Sequence, residues 1–127
     1  MLNFESQARQ SGHAPVNGLN MYYEIHDPEM GIPLVLIHGG GSTIESTFSK
    51  ILPMFAANRP VIVLEEQAHG RTSDREGPET FEGSADDVAA LLEFLAVETA
   101  DILGFSAGAV VALQVAVRHP QQSRRHD

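Results

Sequence analysis

Gly104-Phe105-Ser106-Ala107-Gly108 sets a serine between two glycines at the spacing G-x-S-x-G. That spacing suits a very tight strand-to-helix turn. The serine takes a strained conformation that pushes its hydroxyl outward, and Gly104 and Gly108 let neighbouring backbone pass close by. A hydroxyl presented in this way is a candidate nucleophile for acyl transfer. The helix behind it lends a positive dipole to a developing oxyanion, and the Ala107 amide is one donor for it. A second cluster, His38-Gly39-Gly40-Gly41, follows an apolar run and can place bare amides against a substrate oxygen. Gly40 is the first choice for the second donor, and Gly41 is the other candidate. His38 reads as a structural residue that orients the turn through a hydrogen bond, with Gly39 and Gly41 shaping it. The plainer alternatives are a serine N-cap on an ordinary helix and a flexible glycine loop.

Other chemistries fit less well. Gly39 and Gly41 give G-x-G, and Glu65 or Glu66 ends the next strand where a ribose-binding acid would sit. The third glycine position is Ile44, so the dinucleotide pattern fails, and no Gly-Lys-Ser/Thr occurs. The chain has no cysteine, and its six histidines are scattered without carboxylates at ligand spacing, so no metal and no cofactor are expected. His69, in the loop Gln67 to Asp74, could pass for a general base. It is read as part of a loop packed beside the strand ends.

The elements that must position these residues follow from periodicity. His13 to Val16 and Leu19 to His26 flank Asn17-Gly18, a type I′ turn dipeptide, and form a hairpin. Leu34–Ile37 and Val61–Leu64 are continuous apolar runs, the pattern of strands buried on both faces. Between them, Phe48, Ile51, Leu52 and Phe55 predict one helix, kinked or shortened by Pro53. Ser84 and Asp87 predict a capping box for a helix with the stripe Val88, Leu91, Leu92 and Leu95. Ala100 to Phe105 predicts a strand, and Ala107 to about Arg118 a helix that stops at His119-Pro120. Residues 121–127 read as a polar tail. The expected fold is α/β, a mostly parallel sheet with an N-terminal β-hairpin and flanking helices. In such sheets reactive groups sit at the carboxyl ends of strands, where both glycine clusters fall.

Composition narrows the partners. At 127 residues there is room for one domain, and 43% hydrophobic residues are too many for a disordered chain. Eight Lys and Arg against 17 Asp and Glu leave a formal charge of −9, which repels phosphate backbones, so no nucleic acid partner is expected. Residues 1–15 lack an apolar targeting core, and no apolar run could span a bilayer. No membrane association is expected, and a cytoplasmic location is the default.

Leu34 to Ser42, Glu65 to Thr72 and Gly104 to Gly108 together resemble, in order and spacing, the N-terminal half of an α/β-hydrolase-fold serine hydrolase of the esterase, lipase and haloperoxidase-like group. The resemblance runs from about Val16 to Pro120. It departs mildly where that family usually has glycine at the position of Ala68 and often Asp near Glu65 or Glu66. It implies that residues 1–127 are a partial domain with Ser106 as nucleophile and Gly40 and Ala107 as the oxyanion hole, acting on a small-molecule acyl substrate. The family's acid and histidine follow the serine. Only residues 107–127 do so here, and His119 lies about 20 Å along the helix. The isolated chain is therefore expected to have at most trace activity. The resemblance also implies a bare strand edge at Ala100 to Phe105, open to a second copy or a C-terminal fragment. The alternative is a non-catalytic binding module, a pseudoenzyme on the same fold.

Overall fold

The computed structural model describes residues 10–26 and 31–126. They form six strands, β1 (Gln10–Val16), β2 (Leu19–His26), β3 (Leu34–Ile37), β4 (Val61–Leu64), β5 (Ala100–Gly104) and β6 (Ser123–His126). Four helices join them: α1 (Ile44–Phe48), α2 (Leu52–Ala56), α3 (Phe81–Phe94) and α4 (Ala107–Arg118). The sheet order is β1-β2-β4-β3-β5-β6. β4, β3, β5 and β6 run parallel, and the β1-β2 hairpin joins antiparallel along β4. The molecule is thus an α/β fold with a mostly parallel sheet.

The all-apolar runs of β3 and β4 are buried at every position because both faces of the sheet are covered. Val35, Ile37, Ile62 and Leu64 pack on one face with Val88, Leu91 and Leu92 of α3 and Val111 and Val115 of α4. Leu34, Leu36, Val61 and Val63 pack on the other with Ile44, Phe48 and Leu52 of α1 and α2. Each fully buried aliphatic side chain contributes about 1.5–3 kcal/mol, so this alternation holds the three layers together. Asn17 and Gly18 both have positive φ, 48° and 84°, as a type I′ hairpin turn requires. Ladder pairing extends β1 back to Gln10, past the predicted start at His13.

Three expectations are corrected. The single helix predicted around Pro53 is two short ones. Thr43 caps α1 through a capping box with Ser46, and Pro53 sits in the first turn of α2, where its missing N–H is harmless. The Ser84/Asp87 capping box does not exist. α3 starts four residues earlier, capped by Thr80 in place of Ser84, and the Thr80 side chain accepts from the Gly83 amide at 2.9 Å. Asp87 is instead taken by tertiary contacts, a bidentate pair with Arg75 at 2.8 and 2.9 Å and a bond from Asn17 at 3.1 Å. Finally, β5 is not an edge. The tail predicted to lack structure forms β6, which pairs in parallel along Ala100 to Ile102. Its Arg124 grips Asp101 at 2.8 and 3.0 Å, beside Arg59 at 2.8 Å.

Candidate active site

β3, β5 and α4 meet at the serine. The Phe105 amide donates to the Ile37 carbonyl at 3.0 Å, and the Gly108 amide closes back on the Phe105 carbonyl at 3.0 Å. Between them Ser106 has φ 59° and ψ −118°, a conformation few non-glycine residues adopt. The strain is held by close packing that only glycine permits. A Cβ on Gly104 would collide with the Gly108 carbonyl, and one on Gly108 would collide with the Ile37 and His38 carbonyls. Ser106 is exposed and makes no side-chain cap bond to α4. The amide of Ala107 opens the helix and has no acceptor within it.

Across from this turn lies the His38–Gly41 loop. Gly40 approaches Ala107 closely, since a Cβ built on it would lie 3.7 Å from the Ala107 Cβ. Two histidines hold the loop. Buried His38 donates from Nδ1 to the Gly39 carbonyl at 2.7 Å and accepts the Glu66 amide at Nε2, 3.0 Å. Accepting there requires a neutral ring, and burial, aided by the facing His69, lowers its pKa accordingly. His69 accepts the Gly41 amide at Nε2, 2.9 Å, and donates from Nδ1 to the Gln67 carbonyl at 2.8 Å. Both its ring nitrogens are thereby occupied, which fits a packed loop residue and not a general base. The same bond removes Gly41 as an oxyanion donor, because its N–H is already spent. Gly41 keeps a turn role, at φ 69°.

The loop after β4 carries two acids that sequence reasoning weighed only as ribose ligands. Burial pushes the Glu65 carboxyl up, but hydrogen bonds from Arg71 and the Ile44 amide outweigh it and keep it below the ordinary carboxylate value. Arg71 reaches Glu65 through its amide, Nε and Nη2 at 2.7–2.9 Å. The Ile44 amide donates to the same carboxylate at 3.1 Å, so Glu65 ties this loop to the start of α1. Gly70 must be glycine, since any Cβ there would strike the Glu65 carboxyl. Glu66 is also buried, but its Oε1 has no hydrogen-bond partner. Burial and the nearby Glu79 charge push its pKa up to about 7, against the Ser84 hydroxyl and the His69 ring. Two consecutive acids ending an all-apolar strand were the one sequence signal for this pair.

No hydrogen bond joins Ser106 to a histidine among the described residues. His119, at the far end of α4, pairs with Asp86 at 2.7 Å, and Arg118 grips the same carboxylate. That acid–histidine pair clamps α4 to α3, remote from the serine. Among the described residues there is no cluster of three or more metal-ligating side chains, and no helix is long and apolar enough to cross a membrane.

A strained serine between a parallel strand and a helix, facing a glycine loop at the end of the neighbouring strand, defines a class. The model of the alpha/beta hydrolase fold family matches residues 32–124, and the chain belongs to that family. Its relatives include hydrolases. It is 33% identical over 105 residues to the 2-hydroxymuconate semialdehyde hydrolase of Pseudomonas sp. (strain CF600), covering 80% of this chain and 37% of that one. It is 36% identical over 97 residues to the pimeloyl-[acyl-carrier protein] methyl ester esterase of Neisseria meningitidis serogroup A, covering 76% of this chain and 29% of that one. Among solved structures, the N-acyl homoserine lactone degrading enzyme Est816 superposes with a TM-score of 0.80 at 30% identity, covering 90% of this chain and 43% of that one. The chain spans well under half the length of these relatives.

Proposed function

We propose that the chain is the nucleophile-bearing part of a serine hydrolase that cleaves an ester or related acyl compound through an acyl-enzyme. The observation that carries this reading is the backbone of Ser106, at φ 59° and ψ −118° with an exposed side chain free of helix capping. Ser106 Oγ would attack the substrate carbonyl as its proton passes to a base. The Gly40 and Ala107 amides would stabilise the tetrahedral oxyanion. Collapse breaks the bond to the leaving group, which departs with a proton, and water then releases the acid and restores the serine. The relatives support hydrolysis but not one substrate, since their names span a methyl ester, a lactone and a semialdehyde.

The base belongs, in this proposal, to the portion of the fold that the longer relatives possess beyond the matched region. A serine without it is a poor nucleophile. The isolated chain is therefore expected to hydrolyse p-nitrophenyl acetate at trace rate, with no burst. A fluorophosphonate probe is expected to label Ser106 slowly, as read by intact-mass and peptide mass spectrometry, and Ser106→Ala to abolish the labelling. Labelling that survives Ser106→Ala would overturn the assignment, and a fast burst dependent on Ser106 would overturn the need for an external base. No labelling in either form would favour a non-catalytic binding module on the same fold. A second copy of the chain, or a further strand, remains the proposed partner of the sheet edge, now located at β6.

A further inference from the structure

The loop that carries Gly40 is three glycines in a row, with no side chain of its own to fix it. Packing does not fix its far end either, since a Cβ built on Gly41 would meet nothing within 4 Å. Hydrogen bonds on either side of Gly40 restrain it instead. The Gly39 carbonyl accepts from His38 Nδ1 at 2.7 Å and from the Ser42 amide at 3.2 Å. The carbonyl and N–H of one trans peptide unit point opposite ways, so the Gly40 N–H faces away from the His38 ring. Bonds at one carbonyl act as a pivot. The second anchor lies in the next peptide unit, where the Gly41 amide donates to His69 Nε2 at 2.9 Å. With the units before and after Gly40 both held, its two dihedrals are set and its N–H keeps one direction.

The turn that delivers His69 is stiff and strained. The His69 amide donates to the Glu66 carbonyl, the Thr72 amide to the His69 carbonyl and the Ala68 amide to the Ser73 carbonyl, each at 3.0 Å. Ala68 and Gly70, on either side of the histidine, both lie in the left-handed region, at φ 62° and 53°. Such strain persists where the surroundings over-determine it, and it clusters at functional sites. Nδ1 donates to the Gln67 carbonyl within the turn, so Nε2 is left as an acceptor aimed at a glycine 28 residues away in sequence. We propose that His69 is a positioning residue whose unprotonated Nε2 fixes the Gly40–Gly41 peptide and so aims the Gly40 amide at the oxyanion, a role that rests on the function proposed above. The groups facing its ring are His38, with centroids 4.8 Å apart, Glu79, 3.9 Å from Nδ1, and Glu66. A proton on Nε2 sets a donor against a donor and releases the Gly41 amide.

The residual dipolar coupling of the Gly40 N–H, in the partly aligned, nitrogen-15-labelled 127-residue chain, measures its direction. At pH 8 that coupling is expected to change in His69→Phe, which keeps a ring without an acceptor. It is expected to stay in His69→Gln, whose side-chain oxygen can accept from Gly41. In the unsubstituted chain it is expected to change at about pH 5.5, within the range where histidines take up a proton, and to stay constant in His69→Gln. Couplings of the α3 and α4 amides verify the fold, and the pH comparison decides should His69→Phe not fold. The fluorophosphonate rate at Ser106 is expected to follow, slowing about tenfold in His69→Phe, against about a hundredfold for loss of a whole oxyanion donor. His69→Gln is expected to keep most of the rate. The ratio of unsubstituted to His69→Gln rates is expected to fall as pH drops to about 5.5, and the titrations of Glu66, Glu79 and His38, common to both chains, cancel in it. A Gly40 coupling unmoved in His69→Phe or at the lower pH, a His69→Gln chain as impaired as His69→Phe, or a ratio constant with pH would overturn the proposal. If Ser106 takes no label in any form, the hydrolase reading falls and the Gly40 couplings still decide this inference. Couplings that ignore His69, beside labelling that depends on Ser106, remove this inference alone.

Discussion

Ser106 and Glu66 pay opposite kinds of conformational penalty. Ser106 stores strain in its backbone, held by glycines that admit no Cβ. Glu66 stores electrostatic strain in a buried carboxyl, raised from 4.5 to about 7. The sign of its effect on stability follows by linkage. Because the folded-state value is raised, its favourable contribution is complete below about pH 4.5 and is lost as pH climbs through about 7. The ionised form then weighs against folding by about 3.5 kcal/mol at most, from about 1.4 kcal/mol per pKa unit. Glu66→Gln stays neutral and is expected to raise stability at pH 8 while leaving pH 4 nearly unchanged, as urea denaturation at the two pH values would show. An equal effect at both would mean that the gain is packing and not charge. Asp86 and Asp101 act in the reverse sense. Arg118 and His119 hold the first at about 2, and Arg124 and Arg59 hold the second at about 2, so their contribution is lost as pH falls from about 4 to 2.

At the scale of elements, the ends of helices and loops show where local chemistry is imperfect. α3 closes in a Schellman turn, with the Ala96 amide donating to Glu93 at 3.0 Å and the Val97 amide to Leu92 at 2.9 Å. That geometry puts Ala96 at φ 59°, where glycine would be at ease. Ala68, in the loop that presents His69, stands at φ 62°. This is the position where the resembled family usually carries glycine, and the backbone shows why. Ala96→Gly and Ala68→Gly are each expected to stabilise the chain by about 0.5–1 kcal/mol, a rise of a few degrees in Tm by circular dichroism. A fall would mean that the methyl group packs more than the conformation strains. Strands β3 and β4 were readable as buried because apolar residues occupy every position. The start of α3 was misread because Thr80 and Ser84 both offer a capping hydroxyl, and only the pairing of Asp87 with Arg75 decides between them.

The whole molecule depends on its last described strand. β6 pairs with three of the five β5 residues and is tied to the strand by the Ala100 amide, which donates to the Gln122 carbonyl at 2.8 Å, and by Arg124 on Asp101. Removing residues 123–127 would bare the backbone beside Ile102 and take one arginine from a buried aspartate. The shortened chain is expected to self-associate as concentration rises, measured by light scattering, because apolar strand edges template pairing. A monodisperse monomer after that deletion would show that β6 protects nothing. Arg124→Ala alone should have a milder effect, since Arg59 still reaches Asp101.

Local pattern determined strands β1 to β5, helices α3 and α4, the elbow at Ser106 and the paired glycine loop, because these depend on periodicity and on residues that only tight turns require. Tertiary structure decided which amides are free. Gly40 and Gly41 are chemically identical in the sequence, and only the approach of His69 from a loop distant along the chain takes the second out of use. It likewise decided that one of two adjacent glutamates braces the site while the other is left with an unpaired oxygen. Hydrogen-bond satisfaction is a property of neighbours in space, and the chain order does not contain it.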